Sequence, residues 1–236
     1  MPLNPNFSGG APLWSRFVNP SDREERRPAP RGWVLPNGVE RLPPPLGAAA
    51  DCQLPYDWDR RGYAALDVET TGLDAFRDRV IEVGIVLFSY DAEGALIEEK
   101  AWGSLVNPGM TIPASSTAIH GITDLDVWAS PYFRDLADAV SEFLDGRVMV
   151  AHNAPFDAGF ISEEFSRLGL RAPLGEIADS LVLLRQAIPN LLSYSLGKAA
   201  YVLGVDTGTS HRALDDARTC MRLFTQCARK LAGTCP

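Results

Sequence analysis

Asp67, Glu69, Asp157, His211 and Asp216 stand in three short clusters spread over 150 positions of a 236-residue chain. The clusters read Leu66-Asp67-Val68-Glu69-Thr70-Thr71-Gly72-Leu73, His152-Asn153-Ala154-Pro155-Phe156-Asp157 and His211-Arg212-Ala213-Leu214-Asp215-Asp216. Each lies against apolar sequence, where an unpaired acid is costly to bury. Acids placed that way usually have a cation to hold, and hard carboxylate oxygens suit Mg²⁺. Four carboxylates and one imidazole point to hydrolysis of a phosphodiester, with the imidazole moving a proton.

Asp67 and Glu69 are two apart on a predicted strand, so period two puts both on one face of the sheet. Taken alone, the pair also fits an ordinary solvated strand end. Asp157 falls in the first turn of a predicted helix, where the helix dipole by itself favours an acid. His152 and Asn153, at the strand-to-helix junction, are compatible with capping. His211 and Asp216 are five apart, about 140° around a helix axis. They converge only if His211 stands on the loop, which Gly208-Thr209-Ser210 permits, and Asp216 lies inside the helix. Asp215 then faces elsewhere and is assigned no role. The chain has three histidines, and the third, His120 in Ala118-Ile119-His120-Gly121-Ile122-Thr123, also lies in a segment of functional appearance.

The surrounding sequence supplies elements to hold these residues. Tyr63–Glu69 is an apolar run ending in acids, a buried strand with function at its C-terminal end. Residues 79–89 and 97–106 read as two further strands joined by short turns, giving an antiparallel meander. Helices are expected over residues 131–144, 155–168, 179–188, 195–203 and 212–231, with a short buried strand at 147–151. The fold class is α/β: a mixed sheet, antiparallel in its first three strands and then parallel, flanked by helices.

Composition narrows the setting. Hydrophobic residues make up 46% and charged residues 22% of the chain, ordinary for a globular protein. No apolar run reaches the roughly 18–20 residues of a membrane span, and Met1-Pro2-Leu3-Asn4-Pro5 is unlike a signal peptide. A cytoplasmic location is expected, with no membrane partner. Residues 1–60 hold 11 of the 18 prolines and form an expected Pro-rich N-terminal extension, partly a disordered tail or a docking segment, with the chemistry in residues 61–232. That extension also holds Trp14, Trp33 and Trp58, rings expected to dock on the chain's own domain or on a partner. Gln53-Leu54-Pro55-Tyr56-Asp57-Trp58 is a poor match to a clamp-binding peptide. Cys52, Cys220, Cys227 and Cys235 show no CxxC spacing and are expected to be reduced. The net charge of −8 and the lack of a basic stripe favour capture of a chain end over grip on long nucleic acid.

The three clusters, in this order and spacing, resemble the DEDDh family of 3′–5′ exonucleases over residues 63–231. Within it the likeness is to the proofreading branch, the exonuclease subunits of bacterial replicative polymerases. The Ile119-His120-Gly121-Ile122-Thr123 segment strengthens that choice. The resemblance implies a ribonuclease H-like fold and two Mg²⁺ ions, for which Mn²⁺ can substitute. It implies Asp67, Glu69 and Asp216 as principal metal ligands, Asp157 as the acid holding the second ion, and His211 as general base. It implies that Thr70, Thr71, Gly72 and Leu73 line the terminal nucleotide, with His120 and Phe156 flanking its sugar and base. His152, in the same motif as Phe156, is counted with these substrate-binding residues. The expected substrate is a single-stranded or frayed 3′ end of DNA, released as nucleoside 5′-monophosphates. A DNA polymerase or another replication or repair protein is the implied partner, through residues 1–60. Thr70 stands where oligoribonuclease-like members carry Met. That leans away from the alternative of an exoribonuclease trimming RNA; a second alternative is an accessory or scaffold module that uses the fold for binding.

Overall fold

The computed structural model describes residues 57–233, together with Leu54 and two short paired backbone segments near the N-terminus. Those segments, β1 (Trp33–Val34) and β2 (Glu40–Arg41), pair antiparallel. The docking expectation for Trp14 lies outside the described residues, as do the sites of Cys52 and Cys235.

The central element is β3 (Tyr63–Thr70), and its sequence explains its place. Tyr63, Ala64, Ala65 and Leu66 are all buried, as suits a strand covered on both faces. It pairs antiparallel with β4 (Val80–Tyr90), which pairs antiparallel with β5 (Leu96–Leu105). On its other side β3 runs parallel to β6 (Val148–Ala151), and β6 parallel to β7 (Ile177–Asp179). The five-stranded order is β5-β4-β3-β6-β7, so the predicted meander and mixed sheet are both present.

The helices are α1 (Ala114–His120), α2 (Asp124–Val127), α3 (Phe133–Leu144), α4 (Ala154–Arg167), α5 (Ser180–Ala187), α6 (Leu196–Val202) and α7 (Ala213–Leu231). The short α1, α2 and β7 were not expected. They are too brief to show periodicity, and tertiary contacts rather than local pattern hold them.

Alternation along β3 separates two apolar layers. Ala64, Leu66 and Val68 pack with Phe133, Val140, Phe160 and Phe165 of α3 and α4. Tyr63 and Ala65 pack with Leu183 and Leu184 of α5 and with Ala217, Cys220 and Phe224 of α7. Tyr63 stacks on Phe88 at 4.9 Å and meets Phe224 at 5.1 Å. Each large side chain so buried contributes about 1.5–3 kcal/mol. Cys220 and Cys227 are buried free thiols on α7.

The compact body begins before residue 61. Trp58 is buried, meets Tyr90 edge-on at 4.8 Å, and its carbonyl accepts the Tyr63 hydroxyl at 2.6 Å. One of the three N-terminal tryptophans therefore docks on the chain's own core. Among the described residues no helix is long and apolar enough to cross a membrane.

Candidate active site

β6 runs parallel beside the first half of β3, Tyr63–Ala65 against Val148–Val150, and the first two acid clusters begin just past that pairing. Period two carries Asp67 and Glu69 onto the α7 side of the sheet, as the spacing predicts. In the antiparallel register Asp67 faces Gly84 and Glu69 faces Glu82. Burial pushes the Asp67 carboxyl well above the usual carboxylate range, and the charges of Asp157, Asp216, Glu69 and Glu82 push the same way. Burial, then Asp216 and Glu82, push Glu69 up to about 7 against the opposing pull of Arg212.

Asp157 arrives from the other helix layer. Asn153 turns the chain in the left-handed region at φ 71°, and its N–H donates to Asp179 at 3.0 Å. Pro155 then suits the first turn of α4. Asp157 is only 4% exposed, and its Oδ1 accepts the Val68 N–H at 3.1 Å, beside both strand acids. Burial pushes its carboxyl well up against the pull of that N–H, with Asp179 and Glu69 adding to the rise.

His211 stands on the loop before α7, at φ 60°, and Asp216 lies within the helix. The His211 N–H donates to Asp216 Oδ2 at 2.8 Å, which folds the loop back over the helix start. Burial raises the Asp216 carboxyl, with His211 opposing. Asp215 turns away, as expected: it accepts the Thr209 N–H at 3.0 Å and faces Arg218 at 3.7 Å. Glu69, His211 and Asp216 present ligand atoms that all lie within 4.8 Å of one another.

Three residues that sequence reasoning missed seat α7. A side chain at Gly84 would collide with the backbone of Ala213 and Leu214, so only glycine lets the helix lie this close to β4. Buried Glu82 accepts from Arg212 Nη2 at 2.8 Å and from the Ala213 N–H at 3.1 Å. Glu82 was detectable: an acid inside the apolar run of β4 carries the same burial cost that singled out the other acids.

The remaining expected residues surround the strand end, with one difference. The Thr70 hydroxyl donates to the Gly72 carbonyl at 2.6 Å, and the Thr71 carbonyl accepts from Ser116 at 2.7 Å. A side chain at Gly72 would strike the Asp78 carboxylate. Leu73 stands exposed beyond this turn. Phe156 tilts against Phe160 at 4.9 Å. His120 is buried, its Nδ1 accepts the Ile122 N–H at 3.0 Å, and its Nε2 lies near the Thr70 carbonyl without a hydrogen bond of ordinary geometry. His152 is engaged within the chain. Its Nε2 meets the Tyr194 carbonyl at 2.7 Å and its Nδ1 meets Ser180 Oγ at 2.9 Å. Burial lowers its pKa, so the neutral ring donates to Tyr194 and accepts from Ser180.

The donor set fits a divalent cation. Carboxylates whose charges raise one another's pKa need a positive charge between them, and oxygen donors suit a hard ion. The exonuclease family profile matches residues 64–224. The chain belongs to the exonuclease family. It is similar to the DNA polymerase III subunit epsilon of Treponema pallidum, 37% identical over 178 residues, covering 72% of this chain and 80% of that one. It is also similar to the 3′–5′ exonuclease DinG of Staphylococcus saprophyticus, 31% identical over 69% of this chain but spanning only 17% of that longer protein. Exonuclease X, solved with 5′ overhanging duplex DNA, superposes with a TM-score of 0.55 at 25% identity, covering 70% of this chain and 90% of the other. This exonuclease is therefore a hydrolase acting 3′ to 5′, of the epsilon and DinG type, with a ribonuclease H-like fold and a divalent-metal requirement.

Proposed function

We propose that this exonuclease removes nucleotides one at a time from single-stranded or frayed 3′ ends of DNA. It would do so with two divalent ions, Mg²⁺ first and Mn²⁺ as a substitute. The observation that carries the reading is the convergence of four carboxylates from β3, α4 and α7 on one strand end, their pKa values raised by shared burial and charge. Asp67, Glu69 and Asp216 would hold one ion, and Asp157 the second. When bound, the ions supply Lewis acidity and offset the charge developing on the phosphate and the leaving oxygen.

The chain's own residues do the rest. His211, loop-borne and exposed, takes the proton of the attacking water. Water adds to phosphorus, the bond to the 3′ oxygen breaks, and a nucleoside 5′-monophosphate leaves. Thr70, Thr71, Gly72 and Leu73 line the terminal nucleotide, with His120 and Phe156 at its sugar and base. His152 serves by tying the start of α4 to Tyr194 and Ser180, which steadies Phe156 and Asp157. Kinship with a polymerase III subunit and with DinG supports DNA as substrate, a cytoplasmic setting and a polymerase as partner. Residues 61–232 carry the exonuclease domain in this reading, and residues 1–60 the partner contact. Co-purification with and without residues 1–60 tests that contact, and identical partners would dismiss it.

The decisive experiment compares single-stranded DNA and RNA oligonucleotides of matched sequence. Mononucleotide release from the DNA 3′ end, dependent on Mg²⁺ and quenched by EDTA, is expected. Faster release from RNA would reassign the substrate, and no release from either would sink the reading.

A further inference from the structure

A groove of about 450 Å³ lies beside α6, lined by Leu191, Leu192, Ser193, Lys198, Tyr201 and Val202 among others. That volume falls within the range of small-ligand sites. Its rim is unusual for a monomer surface. Tyr201 is 85% exposed and Leu192 fully exposed, with Val202 also open to solvent. No part of this wall serves the five-residue site directly.

The wall lies within an acid-free stretch of the chain. Residues 180–205 contain Arg185 and Lys198 and no aspartate or glutamate, in a chain of net charge −8. Arg185 lies over the Tyr194 ring at 5.5 Å. Lys198 makes no ion pair among the described residues. The groove is also tied to the catalytic end of the sheet. The carbonyl of Tyr194, which follows the lining residue Ser193, meets His152 Nε2 at 2.7 Å, and His152 leads directly into the helix of Asp157.

We infer that this groove is an upstream subsite for the substrate strand, taking a nucleotide that precedes the 3′ end. The inference rests on the single-stranded DNA reading above and deepens it. Tyr201 supplies an exposed ring face on which any base can stack, Leu192 and Val202 extend that apolar surface, and Lys198 supplies the phosphate contact. Sequence-tolerant binding of single strands uses this combination of aromatic platform and cationic groove. It also resolves the difficulty of an acidic protein acting on a polyanion. Lys198 gives this wall its cation, while the acids stand at the strand end.

The test compares kcat/KM on a thymidine dinucleotide and a thymidine dodecanucleotide for the wild type, Tyr201→Ala and Lys198→Glu. The wild type is expected to prefer the longer strand, with that preference weakening as salt rises. Each variant is expected to reduce the preference by about tenfold, the scale of one stacked base. Both side chains lie on the surface, and a melting temperature equal to wild type checks that folding is intact. An equal preference in all three proteins overturns the subsite and leaves the groove as a protein-docking surface. A wild type that hydrolyses both lengths equally well overturns the subsite alone. A wild type that hydrolyses neither overturns the DNA reading and the subsite with it.

Discussion

At the scale of single residues, His211 holds the most informative position. Its imidazole lies within 4.8 Å of both Glu69 and Asp216, so its place alone allows either metal ligation or proton transfer. Its backbone N–H is already committed to Asp216, which leaves the ring free to move on the loop without losing the acid's anchor. A general base contributes about 10²–10⁴-fold to rate. His211→Ala is therefore expected to lower kcat by that amount while the Mg²⁺ concentration for half-maximal activity holds. A metal titration of the residual activity checks it, and a large rise in that concentration would make His211 a ligand instead.

At the scale of elements, the site depends on how closely α7 approaches β4. Gly84 permits the approach, and Glu82 with Arg212 holds the first turn in place. Gly84→Ala puts a methyl group into the backbone of Ala213 and Leu214, which cannot step aside as a flexible side chain would. Overpacking of this kind costs about 1–3 kcal/mol. Displacing a catalytic group by about 1 Å can cost on the order of 10²-fold in rate. Gly84→Ala is expected to lose both stability and activity. Gly159 on α4 provides the contrast, since an added methyl there meets open space. Gly159→Ala is expected to stabilise by about 0.5–1 kcal/mol with activity kept. Thermal melts and initial rates on the two variants decide whether close approach or glycine content matters.

At the scale of the whole molecule, the gathered acids set how stability depends on pH. The unfolded chain releases the Glu69 proton near the ordinary value of 4.5, whereas the folded, metal-free protein keeps it up to about 7. Between those values the native state binds more protons, so stability falls as pH rises. Asp67, Asp157 and Asp216 are raised as well and act in the same direction. The metal-free protein is expected to melt at a higher temperature near pH 5 than near pH 8. Added Mn²⁺ or Mg²⁺ should restore the loss, raising the melting temperature more at pH 8. Scanning calorimetry with and without EDTA checks this, and a metal-independent melting curve at pH 8 would count against the acids as a cation site.

Local chemistry determined much of this protein. Period two placed Asp67 and Glu69 on one face, five-residue spacing required His211 to leave the helix before Asp216, and apolar runs marked the central strands. These features depend on neighbours in sequence, where side-chain periodicity acts directly. Tertiary structure alone decided the rest. It brought Asp157 across from the opposite helix layer onto the Val68 N–H, matched Glu82 to Arg212 over 130 positions, and turned His152 inward to Tyr194. It also formed β7 from three residues with no pattern of their own and drew Trp58 into the core. Contacts between distant segments depend on how layers pack, and close packing is a property of the assembled fold rather than of any one segment.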